Sequence, residues 1–231
     1  MSVNRRSLND VKTVIQSTEG FKPDQIVEFY DSWAPTYKQD IKLIGYNLQP
    51  LLVECLHANF SGNREEAQVL DVACGTGSVA KLMVELGFKN FVGVDCSKGM
   101  LEQAAKSGLY QDLKLALLGT QPLPAETGTF DVVILAGGFG EGYVPVSVLH
   151  ELCNAAKPGG LIGLSRGAHT ISETYTKDLE RALELMEEEG LWSLVVTKEV
   201  ERYIQNPFVD AKKEEELYVR GTSSLFKKSN Q

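Results

Sequence analysis

The residues best placed to do chemistry are two carboxylates and a pair of glycines. Asp71 sits in VLDVACGTGSVA (residues 69–80), where an apolar run gives way to Gly75-Thr76-Gly77, and Asp95 follows roughly twenty residues beyond that turn, at the end of a second apolar run. An apolar run suits a buried strand, and two glycines flanking one residue are too flexible to continue it, so the chain must turn there. Residues 79–86 then place apolar side chains at helical spacing, and Gly87 stands where a left-handed helix cap belongs. Such a strand, glycine turn and helix bring free backbone N–H groups up to a polar or anionic ligand and let it approach the main chain closely. The letters GTGSVA also match the G-x-G-x-x-G/A pattern of dinucleotide binding.

The elements that must position these residues follow from the hydrophobic pattern. Strands are predicted at residues 69–73, 91–95, 113–118 (the weakest), 130–136 and 161–164, with helices over 98–107 and 146–156 and a turn at Lys157-Pro158-Gly159-Gly160. Strands alternating with helices make a parallel sheet covered on both faces, with ligands at the carboxyl ends of the strands near the switch point. Upstream, residues 1–20 are polar and poorly periodic, so the extreme terminus is expected to be loose, the chain is helical from Pro23, and residues 61–68 form a charged loop. Downstream, an acidic amphipathic helix (171–189) precedes two strands, 191–204 and 216–226, joined near Asn206-Pro207 as an antiparallel pair closing the sheet edge. The expectation is one α/β domain over residues 1–231: a helical N-terminal segment and lid (1–60), a cofactor-binding core (67–166), and a C-terminal helix with closing strands (167–231).

At 231 residues, with 43% hydrophobic and 23% charged residues, the chain has the composition of an ordinary globular domain. A formal net charge of −8 argues against general nucleic-acid binding, which lysine and arginine drive. No stretch approaches the roughly 18 uninterrupted apolar residues of a membrane span, and the expectation is a cytoplasmic monomer with the nucleus left open. Cys55, Cys74, Cys96 and Cys153 show no C-x-x-C pair and the three histidines no ligand spacing, so neither disulfides nor a metal are expected.

Two ligands compete for the glycine turn, a nicotinamide or flavin dinucleotide and S-adenosylmethionine. Asp95 could accept from ribose hydroxyls in either. Asp71 separates them: a carboxylate beside the turn is an awkward neighbour for a pyrophosphate but stabilises the ammonium of a methionyl group. VLDVACGTGSVA, VGVDCSKGML, FDVVILAGG and AAKPGGLIGLS in succession resemble the signatures of class I S-adenosylmethionine-dependent methyltransferases, over roughly residues 24–228, and FYDSWAPTYKQDI is similar to the aromatic N-terminal segment of small-molecule members.

The resemblance implies a Rossmann-like fold, S-adenosyl-L-methionine as cofactor and S-adenosyl-L-homocysteine as product. It places Asp71, Ala73, Cys74, Gly75 and Gly77 around the methionyl part, Asp95 on the ribose, Cys96 and Met100 against the adenine, and Ala136 at the end of the fourth strand. Where many relatives carry an aspartate before an L-P pair, this chain has Gly119 in LLGTQPLP, so adenine would rely on backbone from Leu118 to Thr120 or on the Thr120 hydroxyl. Tyr30, Trp33 and Tyr37 would form a loosely held lid over the sulfonium, packing aromatics being the competing reading. Lys38 is either a contact for the methionyl carboxylate or, as such a lysine more often is, simply solvated.

Methyl transfer needs positioning and desolvation more than covalent help, so no catalytic side chain is singled out. The acceptor should lie between GGFGEGY after the fourth strand, SRGAH after the fifth and the N-terminal lid, with Glu141, Tyr143, Arg166 and His169 as polar candidates and glycines at 137, 138, 140 and 142 leaving room. A small-molecule methyltransferase leads; one acting on protein or RNA, and a cofactor-binding protein without turnover, remain open.

Overall fold

A computed structural model describes residues 6–167, 172–208 and 217–230. Four helices precede the sheet: α1 (Leu8–Gln16), α2 (Pro23–Trp33), α3 (Tyr37–Leu43) and α4 (Leu48–Asn59). Then follow β1 (Gln68–Val72), α5 (Ser78–Glu85), β2 (Asn90–Asp95), α6 (Lys98–Ala105), β3 (Tyr110–Leu115), β4 (Phe130–Ala136), α7 (Val148–Ala155), β5 (Ala156–Gly167), α8 (Glu173–Glu188), β6 (Trp192–Gln205) and β7 (Tyr218–Lys228). The strands form one sheet in the order β3-β2-β1-β4-β5-β7-β6. The first five are parallel, and β7 inserts antiparallel between β5 and β6. This is the Rossmann-like arrangement with a C-terminal antiparallel pair, and its strand order reverses between β1 and β4.

Strand periodicity assigns the two faces. Leu70 and Val72 of β1 with Val133 and Leu135 of β4 enter a cluster built on α7, α8, Trp192 and Phe226. Val69, Val132 and Ile134 point the other way, onto α4 and α5. Burial on both faces explains why these strands read as continuous apolar runs. A third cluster, with Val11, Trp33, Ile44, Leu48, Tyr203 and Val219 at its centre, fastens the N-terminal helices to β6 and β7. Backbone bonds reinforce it, Asn47 N–H to the Tyr203 carbonyl at 3.0 Å and Gln205 N–H to the Ile44 carbonyl at 2.9 Å.

Two expectations are corrected, and one helix is added that the sequence pattern did not show. Residues 8–16 form α1: Ser7 and Asp10 close a reciprocal capping box, and Val11 is buried in the third cluster. The turn at 157–160 becomes the irregular start of β5, with Gly159 at φ +74° and a register shift opposite Phe130 and Val132. Strand β3 starts at Tyr110 rather than 113, bringing that tyrosine beside β1.

Candidate cofactor and acceptor site

The loop after β1 is built on left-handed backbone. Ala73 (φ 53°) leads into Gly75 (φ 53°) and Gly77 (φ 82°), and Cys74 N–H bonds the Val94 carbonyl at 3.0 Å, holding the loop against β2. The two glycines do different work. A Cβ on Gly75 would meet nothing within 4 Å, whereas one on Gly77 would press against the Tyr110 ring at 3.0 Å. Asp71, fully buried, accepts from the Tyr110 hydroxyl at 2.7 Å. Burial pushes its carboxyl up to about 7, with the Tyr110 bond opposing and the Asp95 charge adding.

Asp95 ends β2 and organises the next turn. Its Oδ2 accepts from Gly75 N–H at 2.7 Å and its Oδ1 from Ser97 N–H at 2.9 Å. Burial raises its pKa, opposed by backbone N–H groups of Ser97, Gly75 and Cys96. Ser97 caps α6 by accepting from Met100 N–H at 3.0 Å, and its hydroxyl donates to Asp31 Oδ1 at 2.6 Å. Gly99 N–H donates to the same oxygen at 2.8 Å, so α2 is docked on the start of α6.

Over this loop lies a cleft of about 840 Å³, counted to its mouth, at the carboxyl ends of β1, β2 and β4. Of the residues expected at the cofactor, Tyr30, Tyr37, Ala73, Cys74, Gly75, Asp95, Cys96, Met100 and Ala136 line it. Asp71 and Gly77 lie behind its wall, linked to each other through Tyr110. Gly119 packs under Pro145 and the exposed Thr120 donates its hydroxyl to the Leu117 carbonyl at 2.8 Å; the wall there is Ala116 to Leu118 instead. Trp33 is buried away from this cleft because its Nε1 donates to buried Asp40 at 2.7 Å. Lys38 is exposed and outside the lining.

Sequence reasoning missed several lining residues, Thr76, Gln49 and Tyr46 among them. Thr76 is 1% exposed, and its hydroxyl has no hydrogen-bond partner although it lines the cleft. Gln49 comes from α4, and the Tyr46 hydroxyl sits so close over Gly137 that a Cβ there would come within 1.9 Å of it. Nothing local in the sequence marks Tyr46 or Gln49, whose position depends on how α3 and α4 cross the sheet. Thr76 carried a signal, a hydroxyl between two glycines in the turn itself.

A second, wider cavity, about 1910 Å³ with the open space at its mouth included, adjoins the cleft and shares with it Tyr30, Tyr37, Tyr46, Gly137 and Tyr143. Glu141 and Tyr143, two of the acceptor candidates, line it, as does Trp33. Arg166 does not: it pairs with Glu180 at 2.7 Å. His169 lies outside the described residues. Burial raises the pKa of Tyr30, Tyr37, Tyr46 and Tyr143, so at neutral pH they are hydroxyl donors rather than bases. Among the described residues no cluster has the makings of a metal site and no helix is long and apolar enough to cross a membrane.

An orphaned buried hydroxyl at Thr76, open space over Gly75 and a carboxylate at Asp95 suit a ligand bearing both donors and acceptors. The family described as "Methyltransferase domain" matches residues 69–160. With this fold, the chain belongs to the class I S-adenosylmethionine-dependent methyltransferases, and its cofactor is S-adenosyl-L-methionine. In particular, it is 42% identical over 198 residues to Methyltransferase-like protein 27 of Homo sapiens, covering 85% of this chain and 80% of that protein. Demethylmenaquinone methyltransferase of Bacillus pumilus is 40% identical over 103 residues, 42% of this chain and 43% of that protein. The solved TehB-like S-adenosylmethionine-dependent methyltransferase of Corynebacterium glutamicum superposes with a TM-score of 0.54 at 16% identity, over 90% of this chain and all (100%) of that one.

Proposed function

We propose that this enzyme methylates a small molecule held in the second cavity, with the cofactor in the cleft beside it. The observation that carries the reading is the wall the two cavities share, four tyrosines and Gly137, across which two bound molecules would meet. In this reading Asp95 takes the ribose hydroxyls, and Ala73, Cys74, Gly75 and Thr76 surround the methionyl part. Cys96 and Met100 lie on the adenine with the backbone of Ala116 to Leu118, while Ala136, Tyr30 and Tyr37 bound the transfer point. Asp71, Gly77 and Trp33 act one layer back, by positioning the loop and the lid; Gly119 shapes the turn under Pro145.

When bound, the cofactor supplies an electrophilic methyl on a sulfonium, whose C–S electron pair stays on sulfur as the acceptor takes the carbon. The protein's share is to exclude water and align the two molecules, for which a layer of neutral tyrosine hydroxyls and aromatic faces is suited. Bacillus demethylmenaquinone methyltransferase, by its name, acts on a ring compound, which agrees with an aromatic acceptor chamber here. More narrowly, the N-terminal segment with the four signatures resembles the methyltransferase-like protein of the Williams–Beuren syndrome chromosome region. We take the enzyme to work as a monomer, since both cavities are formed within one chain. The test is incubation with methyl-labelled S-adenosylmethionine and cell extract divided into small-molecule, protein and RNA fractions. Label should enter the small-molecule fraction; label confined to protein or RNA would overturn the acceptor assignment.

A further inference from the structure

The second cavity is chemically one-sided. The chain holds 2 Trp, 8 Tyr and 9 Phe, and nine of these nineteen aromatics are among the twenty-two residues lining this one space. The charged lining residues, among those described, are Glu19 and Glu141, both exposed at its mouth; no described lysine, arginine or histidine lines it. Several rings are set edge to face: Tyr30 with Tyr143 at 6.1 Å between centroids, Tyr30 with Tyr37 at 6.2 Å and Trp33 with Tyr37 at 4.9 Å.

We infer, resting on the acceptor reading of this cavity, that the substrate is a ring-bearing small molecule that is neutral or cationic and carries no anionic group. Aromatic faces are negative and edges positive, so a wall of rings welcomes another ring or a cation and gives an anion no compensation. A carboxylate or phosphate leaving water needs a paired cation or several N–H donors to offset its desolvation. The described lining offers hydroxyls, and the anion would pass two carboxylates on entry. A ring amine, phenol or arylalkylamine instead finds aromatic faces along its body and a tyrosine hydroxyl at the junction: Tyr46 stands over Gly137 at the end of β4, and Tyr143 reaches toward Thr18 at 3.4 Å. Glu141, which accepts from the Ser172 hydroxyl, is fixed in place to attract a positive group.

The full chain, saturated with S-adenosyl-L-homocysteine, is titrated with three probes that share a ring and differ in charge: phenethylamine, 2-phenylethanol and phenylacetate, read by saturation-transfer NMR. The amine and the alcohol should bind about tenfold or more tightly than the acid. In the double variant Glu19→Lys, Glu141→Lys, the preference for amine over acid should shrink by about tenfold. Phenylacetate binding as well as phenethylamine, an unchanged ratio in the charge-reversed variant, or no probe binding at all would each overturn the inference. If the double variant does not fold, Glu141→Gln should still narrow the ratio, and the wild-type ratio stands as a test by itself. Calorimetry with S-adenosyl-L-homocysteine is run in parallel: product binding with indiscriminate probes sinks only the substrate class, whereas absence of product binding sinks the reading beneath it.

Discussion

The Tyr110 hydroxyl donates to Asp71 Oδ2 at 2.7 Å, and the same tyrosine ring fills the space beside Gly77. One side chain from β3 thus supports both the carboxylate and the glycine of the β1 turn. Burial lifts the Asp71 carboxyl from 3.8 to about 7, so the native protein keeps a proton that the unfolded chain has released. A raised carboxyl contributes stability that is fully present below about pH 3.8 and is lost as pH climbs through about 7. Asp71→Asn should therefore gain stability relative to wild type between about pH 4 and 7, by up to a few kcal/mol. Urea denaturation of both proteins across that range checks it, and parallel curves would refute the assignment.

The two glycines should respond differently to a side chain. Gly77→Ala strains a left-handed position and pushes on Tyr110, so it should lower folding stability by about 1–2 kcal/mol, with affinity falling only as the loop shifts. Gly75→Ala carries a similar backbone cost but puts its methyl into the open cleft, so cofactor affinity should fall out of proportion to stability. Thermal melts paired with calorimetry separate the two; equal affinity losses per unit of stability would mean Gly75 is not the point of close approach.

Asp95→Ala removes acceptors for Gly75 and Ser97 N–H as well as the carboxylate in the cleft. We expect cofactor affinity to weaken by about 1–3 kcal/mol. Ser97→Ala is the control, because it breaks the α6 cap and the Asp31 bond while sparing the carboxylate. If it weakens calorimetric affinity as much as Asp95→Ala does, the carboxylate's role is only to hold α6.

Where the sequence was legible, it was so because both faces of the sheet are buried. The continuous apolar runs around Leu70, Val94 and Val133 could be nothing but interior strands, and the glycine turn fixed which ends face the ligand. The N-terminal segment was harder to read because its polar residues are satisfied by side-chain pairings, near and far in sequence, that follow no repeating pattern. Asp40 carries no mark of burial in the sequence, yet it is buried and accepts from Trp33, Thr36 and Arg6. Asp31, although exposed, likewise accepts from Ser97 and Gly99 at the start of α6. Such pairings carry no hydrophobic periodicity, so nothing in the sequence shows that Asp40 braces Trp33 at the second cavity.

That bracing predicts how the lid behaves. Asp40→Ala leaves the Trp33 indole N–H without its acceptor and frees Arg6, which should cost about 1–3 kcal/mol locally. Amides of residues 29–40 should then exchange faster in the variant while those of β1 and β4 are unchanged. In wild type the same amides should slow further when S-adenosyl-L-homocysteine is added, if Tyr30 and Tyr37 close on it. Identical protection with and without the product would make the segment a rigid wall rather than a lid.

The sharpest test concerns Thr76. Its hydroxyl is buried and unpaired at the wall of the cleft, and a buried hydroxyl without a partner costs about 1–3 kcal/mol. Thr76→Val keeps the shape and removes that group, so the free protein should be as stable as wild type or more so. If the hydroxyl is kept for the cofactor, affinity for S-adenosyl-L-homocysteine should fall in the same variant by about 0.5–1.5 kcal/mol, the net value of one hydrogen bond. A purely structural threonine predicts the opposite pairing, stability lost and affinity kept. Urea denaturation and calorimetry on the one variant therefore decide between the two roles, and stability gained without any loss of affinity would leave the cofactor bound elsewhere along the cleft.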